Sequence, residues 1–74
     1  MNHQLRFRAD GQLDFQITGK ARLEQVKVRA GEVIEAQVRP YVAETADGPV
    51  EYADLQLGAE GTLVNVRMDY FEFV

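Results

Sequence analysis

The chain has no cysteine and no serine, and its one histidine is His3. Without cysteine there are no disulfides and no thiolate metal sites. Without serine, and with His3 on a terminal run, little remains from which to build a nucleophile and its base: Thr18, Thr45 and Thr62 are the only aliphatic hydroxyls. A zinc site takes three or four His or Cys ligands, more than one chain of this composition holds. Gly58-Ala59-Glu60-Gly61 lacks the lysine and the following helix of a phosphate-binding loop. No run approaches the roughly 20 apolar residues of a membrane-spanning helix. The start, with Arg6 and Arg8 and no long apolar stretch behind them, is neither a signal nor a transit pattern. These absences lead us to expect a soluble, cytoplasmic protein that is not an enzyme, with no cofactor, no metal and no membrane contact.

Acidic residues are the one source of catalytic groups left. Glu44, Asp47, Glu51 and Asp54 cluster in sequence, and paired carboxylates can act as general acid and base. Their spacing matches no calcium loop, and acids in such a stretch are normally solvated surface groups.

What is present is charge and alternation. At 74 residues the chain forms a single domain over residues 1–74. A domain of this size buries only about 60% of its unfolded surface, and its core seldom supplies more than about 3–5 kcal/mol of net stability. Up to Pro40, seven basic residues stand against five acids; from Tyr41 onward only Arg67 is basic against seven acids, so a net +2 segment precedes a net −6 one. The asymmetry marks either two binding faces or basic strands lying beside acidic ones and neutralising them.

Period-two alternation runs through most of the sequence, as it does in strands with one buried and one wet face. Leu5, Phe7 and Ala9 alternate with Arg6, Arg8 and Asp10; Leu13, Phe15 and Ile17 follow after Asp10-Gly11, a pair that predicts a tight hairpin. Ala21 and Leu23 sit on odd positions but Val26 and Val28 on even ones, which predicts a β-bulge near Glu24 or Gln25. The stretch from Ala21 to Arg39 reads as two strands meeting at Gly31, with Ile34, Ala36 and Val38 inward on the second and Pro40 ending it. Tyr41 to Pro49 reads as the longest loop. Val50 to Leu57 reads as a strand with a break near Asp54, or as a single helical turn there. Val64, Val66 and Met68 read as inward, and the parity change at Phe71 predicts a further break before a short last strand.

Short connections throughout favour an all-β fold: a small antiparallel meander of six or seven strands, rolled or closed as an SH3-like or OB-like barrel. Two surfaces are candidates for function. Arg6, Arg8, Lys27 and Arg29 make a basic face for nucleic acid if the first and third strands share a side. Tyr70, Phe71 and Phe73 make either an exposed aromatic patch for a partner or the strand that closes the barrel. The function these features favour is protein–protein interaction, with a partner chain or a second copy; nucleic-acid binding by a small β-barrel is the alternative.

Overall fold

A computed structural model describes all of residues 1–74, with 70% of the chain in strands and no α-helix. The strands are β1 (Asn2–Phe7), β2 (Gly11–Ile17), β3 (Leu23–Val28), β4 (Val33–Thr45), β5 (Gly48–Leu57), β6 (Gly61–Arg67) and β7 (Phe71–Phe73), with a 3-10 turn at Met68–Tyr70 before the last. They form one antiparallel sheet in the order β3-β2-β6-β5-β4-β1-β7, curled into a half-barrel.

The short links force that curl. β1 and β2 lie four positions apart in the sheet, yet only Arg8–Asp10 joins them. Four strand spacings in a flat sheet cover roughly 19 Å, whereas Phe7 and Gly11 can be at most about 14 Å apart along the chain. β3 and β4 are also four positions apart, joined by Arg29–Glu32. Both crossovers lie at one end of the sheet and bind each other there. The Phe7 N–H donates to the Glu32 carbonyl at 2.9 Å, the Gly31 N–H to the Phe7 carbonyl at 2.7 Å, and the Ala30 N–H to Oδ1 of Asp10 at 2.7 Å.

Two expected hairpins are therefore absent. Asp10-Gly11 is no type I′ turn: Asp10 uses its carboxylate to cap the other crossover, and Gly11 is required because the Tyr70 hydroxyl occupies the space a Cβ would fill. Nor do the strands flanking Gly31 pair, since β3 binds only β2 while β4 lies between β5 and β1. Gly31 (φ 86°) allows the tight turn of the crossover instead.

The core is Leu5, Phe7, Val28, Ala36, Ala53, Leu55, Leu63, Val66 and Phe71 on the inner face. Expectation and structure differ at four further places. β3 starts at Leu23 in unbroken register with β2, so the predicted bulge is absent; Leu23, paired with Gln16, faces outward and is 47% exposed. β4 runs through Pro40, which pairs with Ala53, because β1 covers β4 only from Val33 to Gln37 and the rest is a sheet edge that needs no N–H donor. The expected Tyr41–Pro49 loop is the far part of the β4–β5 hairpin, turned by Ala46-Asp47 between Thr45 and Gly48. The break near Asp54 is real, but the extra residue is on β6: Val64 and Asn65 together face Asp54, and Asn65 has φ 58°. That bulge turns Val64 outward and keeps Val66 in the core. The break before Phe71 is the 3-10 turn.

Candidate interaction site

Seven inward strands do not fill the half-barrel. A cavity of about 270 Å³ remains on its inner side, lined by Phe7, Phe15, Val26, Val28, Ile34, Leu57 and Leu63, with Lys27, Glu32 and Glu60 at the rim. β3 contributes three consecutive residues to it. Successive side chains of a strand point to opposite faces, so the groove follows the edge of β3 rather than one face alone.

That edge is open. β3 pairs with β2 on one side and with nothing on the other, and no loop hydrogen bond reaches its backbone. A row of free N–H and C=O groups thus runs beside an apolar groove. The segment that carries β3 is basic, with Lys20, Arg22, Lys27 and Arg29 against Glu24, while Glu32 and Glu60 stand with Lys27 at the rim of the groove. None of the four has an ion-pair partner, because the two ion pairs of the molecule are Arg6–Glu72 (3.7 Å) and Arg67–Asp69 (3.1 Å).

The predicted basic face is divided by this arrangement. β1 and β3 are five positions apart in the sheet. Lys27 and Arg29 line one surface groove with Asp10, Gly11 and Gln12, and Arg8 lies on the crossover that binds the one carrying Arg29. Arg6 is elsewhere, on the outer face of β1 against Glu72. The aromatic patch is divided too. Phe71 is 2% exposed and belongs to the core, so it offers a partner no surface. Tyr70 is half-buried on Phe7, with ring centres 5.9 Å apart. Phe73 is 54% exposed, edge-on to His3 at 5.4 Å. Alternation separates Tyr70 from Phe71 and Phe73 but not Phe71 from Phe73, which share a face and differ in how far they are covered. No local sequence signal marks the groove, since its walls come from six strands whose order alternation does not set.

The acidic cluster is spread along the β4–β5 hairpin. Glu44, Asp47 and Glu51 are exposed, while Asp54 is half-buried and accepts the Asn65 N–H at 3.1 Å. The Tyr41 hydroxyl donates to Oδ1 of Asn65, and its ring stacks on Tyr52 at 5.8 Å. Partial burial raises the Tyr41 pKa above its ordinary 10.0, and the charges of Asp54 and Tyr52 raise it further. No three His, Asp or Glu side chains converge as metal ligands, and no helix is long and apolar enough to cross a membrane. No protein-family model, curated protein or solved structure matches the chain.

Proposed function

We propose that this chain is a non-enzymatic β-domain that mediates protein–protein interaction by taking an extended segment of a partner as an added strand on β3. The observation that carries the proposal is the free β3 edge lying along the apolar groove of Val26, Val28, Phe15, Ile34, Leu57 and Leu63. In strand addition, main-chain hydrogen bonds provide affinity and pockets for alternate side chains provide specificity. β3 and its groove offer both, and the unpartnered Lys27 beside them favours an acidic group in the segment.

Peptides selected from a display library on the folded chain test this. Selected sequences are expected to be extended, with an apolar residue next to an acid. Val26→Ala, which removes two methyl groups from the groove wall, should weaken them by about 1.5 kcal/mol. A second reading has Arg8, Lys27 and Arg29, all without ion-pair partners, holding the phosphates of a single strand. Under that reading short single-stranded DNA or RNA binds at low salt, is released steeply as salt rises, and is indifferent to Val26→Ala. That result would replace the peptide proposal.

A further inference from the structure

We propose that the segment seated on β3 is the β7 edge of a second copy of this chain, joined head to tail. This rests on the assignment of the β3 seam as a docking site and adds the identity of the occupant. An antiparallel sheet of seven strands has a geometric property that matters here. Its first and seventh strands run in the same direction, so β3 and β7 can meet with their inner faces on one side only as a parallel pair. Both are free edges, and the structure leaves them apart.

Their side chains match in that arrangement. Phe71 and Phe73 lie on the inner face, as shown by the pairing of Phe73 with the buried Leu5, and Glu72 lies on the outer face opposite Arg6. On β3, Val26 and Val28 are inward and Lys27 is outward, opposite Gln12. Setting Glu72 beside Lys27 therefore sets Phe73 beside Val28, with Phe71 level with Val26 but already covered by its own core. The 54% exposed Phe73 then reaches the mouth of the groove. The charges agree over a longer span: Lys20 to Arg29 carries four basic residues and one acid, whereas Asp69 to Val74 carries two acids and no base. Unlike edges joining in this way give a heterologous contact, which continues as an open chain or closes as a ring. β7 is only three residues long, so the association is weak and visible at high concentration.

Charge reversal on the 74-residue chain tests the contact. The mass measured by sedimentation equilibrium should rise with concentration past that of a dimer. Lys27→Glu, Glu72→Lys and Phe73→Ala should each shift this rise to concentrations up to about fivefold higher, the effect of losing one cross-strand pair, with melting curves confirming that each variant folds. An equimolar mixture of Lys27→Glu and Glu72→Lys chains should associate again, because each variant's β3 then faces an opposite charge on the other's β7. A monomer at every concentration, reversals without effect, or a mixture that stays dissociated overturns the head-to-tail contact. Failure of the docking site itself is a separate result: library peptides that still bind through Val26 show that β3 takes a strand other than β7, whereas loss of that binding as well removes the site.

Discussion

Val28 and Lys27 are neighbours in sequence and differ in surroundings: Val28 is 5% exposed in the core and Lys27 is at the surface. Val28→Asp would bury an unpaired charge, which costs several kcal/mol or forces the carboxyl to stay neutral. A core worth about 3–5 kcal/mol does not absorb that, so the variant should show no cooperative melting by circular dichroism. Lys27→Glu should melt within a few degrees of the parent chain. Gly61 is limited by space: a Cβ there would meet the Gln16 carbonyl oxygen and the Phe15 ring. Gly61→Ala should cost about 1–3 kcal/mol in a urea titration. Tyr41 provides the pH test. Its pKa is raised in the folded chain, chiefly by burial, so the unfolded chain loses this proton first as pH climbs. Its contribution to stability is thus complete below pH 10 and lost as pH rises through the higher folded value. Tyr41→Phe should make stability less sensitive to pH above 10. At this scale alternation identified Leu5, Phe7, Val28 and Ala36 as core. It misassigned Leu23, which follows a bend rather than a bulge, and Val64, which a bulge on its own strand turns outward.

Among the elements, the crossovers and the β6 bulge determine the shape. Asn65 holds φ 58° in the bulge, donates its N–H to Asp54 and accepts from Tyr41. Asn65→Ala should cost about 1–2 kcal/mol, since alanine keeps the Cβ but lacks the polar side chain that eases a left-handed conformation and accepts from Tyr41, and Asn65→Gly should recover the part due to backbone conformation. Comparing their urea midpoints separates strain from the lost hydrogen bond. Six or seven strands are legible because alternation is local. Their pairing is not, because β1–β4 and β2–β6 join residues far apart in sequence and the link between β1 and β2 contains the Asp-Gly of a hairpin. Pro40 misled for a related reason: the rule that proline ends a strand holds inside a sheet, and which part of β4 lies at an edge depends on where β1 stops.

For the whole molecule, seven strands curl without closing, and the two outermost strands of the sheet have different chemistry: basic and grooved at β3, acidic and aromatic at β7. The charge asymmetry of the sequence corresponds in part to this difference: Arg6 lies opposite Glu72 and Arg39 opposite Asp54 on neighbouring strands, while Lys20, Arg22, Lys27 and Arg29 form no ion pair. The measurement that bears most directly on the account is a residue-resolved NMR titration of the labelled chain with the tightest library peptide. Amide shifts centred on Leu23–Val28 and on Phe7, Phe15, Ile34, Leu57 and Leu63 around the groove are the predicted result. Shifts that leave β3 silent and gather on the β4–β5 hairpin around Tyr41, Val42 and Tyr52 would contradict it.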